Sequence, residues 1–240
     1  MDRRTRHELK QDEFRDSLVS IENYLKQHYK EIINASIIAV AAVGLGAGLW
    51  YHVQHQEASA NADLGAALTT FRAYVGQPTP GQPGGPTYAS AQEKYKKALQ
   101  QFDAIVEKYK MPPRPKAVEI ALYQAGVCQA LLNDQAGAIR TLTEASAAHD
   151  KEVAAMAKFA LAGELANSGK TAEAAKLYQQ LADDPTITVP RASALLALAD
   201  TYRQSQPTQA RQIYERVEKE FASDAAVADA VKQDIASLTP

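Results

Sequence analysis

The residues best equipped for chemistry in this sequence are few and scattered. His52 and His55 stand three apart, so on a helix both imidazoles would share one face, as a pair of metal ligands does. No carboxylate pair lies beside them, and next to an apolar run they also suit a plain role as interfacial polar residues. Asp183-Asp184-Pro185 is acidic, but this composition commonly closes a helix. Cys128 is the only cysteine. It cannot form an internal disulfide, and its expected role is a small buried apolar group. The chain contains no phosphate-binding loop, no G-x-S-x-G and no H-E-x-x-H. A formal net charge of −2 gives no electrostatic basis for binding nucleic acid. No catalytic, cofactor or metal residue is therefore expected, and the functional question moves to the elements themselves.

The first of these is "IINASIIAVAAVGLGAGLW", residues 32–50. It carries no charge on any face, unlike a core helix of a soluble domain. At 1.5 Å per residue its helix would be about 29 Å long, close to the hydrocarbon thickness of a bilayer. Eight Ile, Val and Leu residues favour insertion by about 2.4 to 4.8 kcal/mol, against which Asn34, Ser36 and three glycines act. Tyr24 and Tyr29 precede the run, and Trp50 and Tyr51 close it, as interfacial aromatics do. The expected membrane span has its ends at Ile32 and Tyr51. Lys26 and Lys30 lie just before it, and no Lys or Arg follows until Arg72. The positive-inside rule puts the N-terminus in the cytoplasm. A cleaved signal is the rival reading, with "ASA" at 58–60 as its cleavage pattern. The 31-residue charged leader and the length of the apolar run favour an uncleaved anchor. Gly44-x-x-x-Gly48 would let two such spans pack closely, as in a homodimer.

Residues 1–31 hold seven basic and seven acidic side chains. Phe14, Leu18, Ile21, Leu25, His28 and Ile32 recur at spacings of 4, 3, 4, 3 and 4. This predicts an amphipathic cytoplasmic helix running into the span. It would either lie on the membrane or dock a partner.

The C-terminal mass repeats itself. Ala98, Ala138, Ala174 and Ala210 align at intervals of 40, 36 and 36. Four residues after each stand Phe102, Leu142, Tyr178 and Tyr214; seven after stand Ile105, Ala145, Leu181 and Val217. A small residue admits a neighbouring helix, and the larger one a turn later fills the gap beside it. Gly126 and Ala162 fall twelve positions before their alanines, on a preceding partner helix. Ala199 does so if its turn is one residue shorter. Leu64-Gly65-x-x-Leu68 supplies the first partner. Prolines cluster between these segments, at 78–86, 112–115, 185, 190 and 207, where they mark the joints. "GQPTPGQPGGPTY" (76–88), with four Gly and four Pro, is expected to be a flexible loop. "AAVADAVKQDIASL" (225–238) would cap the last apolar face.

This frame resembles the tetratricopeptide repeat, over roughly residues 56–221, although the Trp of that motif is missing. The expected fold is all-α: an amphipathic and transmembrane N-terminal helix, then a tetratricopeptide-repeat-like α-solenoid over 56–238. In this repeat class the first helix of each pair lines a concave groove. The resemblance places Tyr123, Val127, Phe159 and Leu196 there as candidate protein-binding residues.

The order of these parts is similar to one bacterial family, the YfgM-like ancillary subunits of the SecYEG translocon. "ENYLKQHYKEIINASIIAVAAVGLGAGLW" and "GKTAEAAKLYQQLADDP" carry the resemblance. It implies a single-pass inner-membrane protein with a periplasmic domain, association with the translocon, and chaperone-like handling of exported proteins. The Gly/Pro loop and the long leader depart from the compact family pattern. Two other readings stay open: a scaffold for envelope assembly or cell division, and a metal-dependent enzyme using His52 and His55.

Overall fold

The computed structural model describes residues 3–77, 85–112 and 114–238, with side chains described from residue 26 onward except at 32 and 226. The chain forms two compact units, Met1–His55 and Gln56–Pro240.

Helix α1 spans Arg3–Phe71. The arm, the apolar run and the first repeat helix share this one element, because no proline interrupts the chain before Pro78. The side chains of Phe14, Leu18, Ile21, Leu25 and Ile32, which define the expected amphipathic stripe, lie outside the described residues. From Ile33 to Tyr51, the nine large apolar and aromatic side chains are each more than half exposed. This stretch is long and apolar enough to cross a membrane.

The second unit stacks helices in pairs. The end of α1 is followed by α2 (Ala91–Lys108), α3 (Lys116–Leu131), α4 (Gln135–Ala145), α5 (Lys151–Asn167), α6 (Thr171–Asp183), α7 (Arg191–Tyr202), α8 (Pro207–Glu220) and α9 (Ala225–Ser237). From α2 onward each helix packs on the next, and α3 also touches α5, as α5 touches α7. The first helices of the pairs thus form one layer and the second helices another. The layer whose members touch is the inner one of the stack.

Local chemistry sets the helix ends. Ser90 accepts the Glu93 N–H, and Asp150 accepts those of Glu152 and Val153, each supplying an N-cap oxygen. Pro115 and Pro190 hold extended backbone just before α3 and α7, and Pro207 starts α8. The turns from α3 to α4 and from α5 to α6 are the same device, 36 residues apart. Asn133 (φ 62°) and Gly169 (φ 81°) take the left-handed conformation. The next N–H, of Asp134 or Lys170, then bonds back to the carbonyl of Gln129 or Leu165 at 2.9 Å. The turn from α7 to α8 lacks this left-handed residue; there the Gln206 N–H bonds to the Tyr202 carbonyl.

The Gly/Pro segment departs from its expected lack of structure at its ends. Tyr74–Val75 (β1) pairs in parallel with Thr87–Tyr88 (β2), and the Gly76 N–H bonds the Tyr88 carbonyl at 2.9 Å. Aromatic and β-branched residues flank the Gly/Pro run and suit extended pairing. Residues 78–84 lie outside the described ones.

Ala98, Ala138, Ala174 and Ala210 are fully buried, as are Phe102, Leu142 and Tyr214; Tyr178, Ile105, Leu181, Ala145 and Val217 are buried with them. The closest approach is at Gly126. A Cβ there would sit 2.7 Å from both Cγ and Cδ2 of Leu142, and 3.3 Å from its backbone nitrogen. Leu142 lies over the position where any other residue would carry its side chain.

Gly126→Ala is expected to destabilise the domain despite the better helix propensity of alanine. Overpacking of about 1–3 kcal/mol opposes a propensity gain of about 1 kcal/mol. Leu142→Ala alone should cost about 2–5 kcal/mol. The double variant should be clearly less destabilised than the sum of the two, because the small side chain removes the clash. Urea unfolding followed by circular dichroism measures all three.

Candidate protein-binding surface

The four residues expected from the sequence to line a groove all stand on first helices of the pairs. Tyr123 and Val127 stand on α3, Phe159 on α5 and Leu196 on α7, and all four are half-buried. Tyr123, Phe159 and Leu196 rest against the core of the later repeats. Phe159 meets Tyr178 edge-on, with ring centroids 5.2 Å apart. Tyr123, Phe159 and Leu196 are thus packed on the core while part of each stays exposed. Burial pushes the Tyr123 phenol up.

Along the edge where the first helices begin, a cleft of about 860 Å³ opens between the α2–α3 loop and the α4–α5 turn. Glu57, Arg114, Lys116, His149 and Asp150 give it polar walls; Val106, Pro112, Val118 and Leu122 give it an apolar floor. None of the four groove residues lines it.

The residues that hold this edge together were not singled out in the sequence. Glu119 of α3 reaches across to the start of α5. Its carboxylate accepts the N–H groups of His149 at 2.9 Å and Asp150 at 3.1 Å. Glu152 of α5 does the same for the loop before α7, accepting the Thr188 N–H at 2.9 Å and its hydroxyl at 2.7 Å. Lys116 pairs with Asp150. A first-turn glutamate is the only sequence signal for this role, and it is ordinarily read as favouring the helix dipole.

At the far end Arg203 joins three helices. It donates to the Tyr214 hydroxyl of α8 at 2.8 Å and to Asp234 of α9 at 2.6 Å, and it pairs with Asp200 of its own α7 at 2.9 Å. The Tyr214 hydroxyl in turn donates to Asp200. Burial and the neighbouring Asp200 push Tyr214 up to about 12.

The residues considered for chemistry are dispersed. Among the described residues no group of three or more His, Cys, Asp or Glu side chains could hold a metal ion. The His55 ring meets Tyr51 edge-on, at 5.7 Å between centroids. Asp183 ends α6 and Asp184 follows it as the C-cap. Cys128 is fully buried, and burial pushes its thiol up to about 12. Around Gly44 and Gly48 nothing lies within 4 Å of an added Cβ, so both faces are open.

Residues 120–150 and 193–223 match the model of the tetratricopeptide repeat family. These stretches cover α3 with α4 and α7 with α8. No curated protein matches the chain. The fold is an all-α, tetratricopeptide-repeat-like solenoid preceded by an N-terminal helix, an architecture that generally binds other proteins.

Two measurements test this description. The Cys128 thiol should react with a disulfide reagent at least about a hundredfold more slowly in the native domain than in urea, because it is buried and held as the thiol. Its reactivity should appear in step with global unfolding. The second concerns pH. Burial alone would raise Glu119, but the N–H bonds of His149 and Asp150 outweigh it and hold the carboxyl below its ordinary range. Asp63 is held low by Lys108 and by the Tyr109 hydroxyl, and Glu152 by Thr188. A carboxyl depressed in the folded state stabilises it above the unfolded value, about 4. That contribution is lost as pH falls through the folded value. Thermal stability should therefore decline below about pH 5, and Glu119→Gln should make the decline shallower. An unchanged slope in that variant would rule out the role given to Glu119.

Proposed function

We propose that the chain is a membrane-anchored scaffold that binds protein segments on the inner layer of its repeats. The observation that carries this reading is the pairing of two features. The stretch from Ile33 to Tyr51 exposes every large apolar side chain, and a helical repeat stack with a half-buried apolar inner face follows it. An exposed apolar helix of this length is stable in lipid and a liability in water. Its ends at Ile32 and Tyr51, with Lys26 and Lys30 before it, orient the N-terminus toward the cytoplasm and the repeats across the membrane. In a bacterium that places the domain in the periplasm.

In its most specific form the protein is an ancillary subunit of the SecYEG translocon that handles exported proteins as they emerge. The similarity of its layout to the YfgM-like family supports this form. Tyr123, Val127, Phe159 and Leu196 would contact the emerging segment, and Ala98, Ala138, Ala174 and Ala210 would set the helix spacing that presents them. The open faces of Gly44 and Gly48 suit close approach of another span, either a translocon helix or a second copy in a homodimer. The scaffold needs no cofactor and no catalytic group.

Protease added outside spheroplasts should digest the domain and leave a membrane-bound N-terminal fragment; resistance until the membrane is opened would reverse the orientation. A photo-crosslinking residue at Val127 should capture exported proteins or translocon components in intact membranes. Tyr123→Ser should cut that yield by about tenfold, the effect of losing one well-placed aromatic contact. Capture of other envelope proteins with no translocon component would leave the scaffold and remove the translocon assignment.

A further inference from the structure

The last two helix pairs each carry a tyrosine at the same place. Tyr178 of α6 and Tyr214 of α8 stand four residues after the buried alanines Ala174 and Ala210. Both rings are buried, Tyr178 at 5% exposure and Tyr214 at 0%. Their hydroxyls differ in what they meet. That of Tyr214 donates to Asp200 and accepts from Arg203 at 2.8 Å, and Asp234 of α9 holds the same arginine at 2.6 Å. Among the described residues, Tyr178 meets the Phe159 ring and its hydroxyl has no hydrogen-bond partner. A buried phenol ordinarily finds one.

The difference lies on the first helix of each pair. Setting the small residues Ala162 and Ala199 in register puts Gly163 at the place of Asp200 and Ala166 at the place of Arg203. The contact agrees with this register: a Cβ added at Gly163 would lie 3.5 Å from the Tyr178 hydroxyl oxygen. Where the terminal pair covers its hydroxyl with two charged side chains, the preceding pair leaves a glycine and an alanine. Two carboxylates stand near the gap instead. Glu164 of α5 is half-buried and its side chain has no ion pair among the described residues. The Asp200 side chain of α7 is 54% exposed. Burial, then the charges of Asp200 and Glu164, push the Tyr178 phenol up to about 12.

This gap lies one helical turn from the apolar row proposed to bind protein. Gly163 follows Phe159 by four residues and Asp200 follows Leu196 by four, about 6 Å along each helix. We infer that the gap between α5 and α7 takes an arginine side chain of the bound protein segment, whose guanidinium donates to the Tyr178 hydroxyl and the Glu164 carboxylate. Arg203 shows within the same fold that one guanidinium can serve a tyrosine hydroxyl and carboxylates of two helices. Its planar fork of donors spans such a set, whereas a lysine ammonium is a compact point charge. Negative charge at the gap complements the cation. The inference deepens the reading proposed above and rests on it for where the segment lies. It gives that segment a chemistry: an arginine beside apolar side chains.

The test uses the full chain in phosphatidylcholine nanodiscs, with empty nanodiscs as the blank. The probes are fluorescein-labelled peptides of leucine and serine with one central arginine, citrulline, lysine or norleucine. Citrulline keeps the shape of arginine without its charge. Fluorescence anisotropy should show the arginine peptide binding at least about tenfold tighter than the citrulline peptide, as charge-assisted hydrogen bonds give. Glu164→Gln and Tyr178→Phe should each cut that preference to below about threefold. Gly163→Leu, whose Cβ makes only ordinary contact, should fill the gap with the same result. Tyr178→Phe removes an unbonded hydroxyl and keeps the ring, so its unfolding midpoint should match that of the parent. Equal binding of all four peptides, weakened by Leu196→Ser, would overturn the inference and leave the protein-binding face intact. An arginine preference that survives Glu164→Gln and Tyr178→Phe would put the cation elsewhere and overturn it as well. Lysine binding as tightly as arginine would overturn the assignment to a guanidinium. An arginine preference lost in the gap variants but untouched by Leu196→Ser would keep the gap and remove the apolar row. No binding of any peptide would overturn both.

Discussion

The second unit depends on how closely paired helices can approach. That distance is set where one helix presents no side chain, and at Gly126 the Leu142 side chain occupies the space that a Cβ would need. The buried alanines at 98, 138, 174 and 210 serve the same purpose on the second helices. With a small residue at the crossing, the aromatic or leucine one turn later reaches the neighbouring helix and is sealed from water. Tyr214 shows what that requires. A fully buried phenol needs a partner for its hydroxyl, and Asp200 and Arg203 provide one while tying α7 to α8 and α9.

Close pairing holds the stack together without an internal disulfide, which a single cysteine cannot form. Each repeat buries a modest apolar surface, and the neighbours bury the rest. The edges need separate management, because helix starts leave unpaired N–H groups. Asp150 caps the start of α5 itself, and carboxylates from one repeat bond N–H groups just ahead of the next first helix: Glu119 to His149 and Asp150, Glu152 to Thr188. These bonds fix the register between repeats as well as satisfying the backbone. On the first helices, Tyr123, Val127, Phe159 and Leu196 stay half-buried.

The two ends of the chain solve opposite problems. Among the described residues, the stretch from Ile33 to Tyr51 leaves its large apolar side chains exposed. The C-terminal end covers its last apolar face with α9, whose Val231 and Leu238 neighbourhood joins the core.

Much of this was legible in the residues. The alanine frame at 98, 138, 174 and 210 gives the helical repeats, since only helix pairing needs small and large residues at those offsets. Prolines at 115, 190 and 207 mark helix starts because a pyrrolidine ring fits the first turn and no later one. The charge-free run from Ile32 gives a span-like helix by length alone. What the sequence could not give is any pairing between residues far apart whose types admit several partners. Glu119 and Glu152 look like ordinary first-turn acids, and Arg203 looks like one of many surface arginines, until the stack brings them to His149, Thr188 and Asp234. The cleft at the edge likewise exists only because the helices α1 to α4 and the loops after α2 and α4 meet there. Local spacing decides which helices form and which faces are apolar; only the folded stack decides which polar groups end up opposite one another, because hydrogen-bond reach is a matter of a few ångströms in space and not of position along the chain.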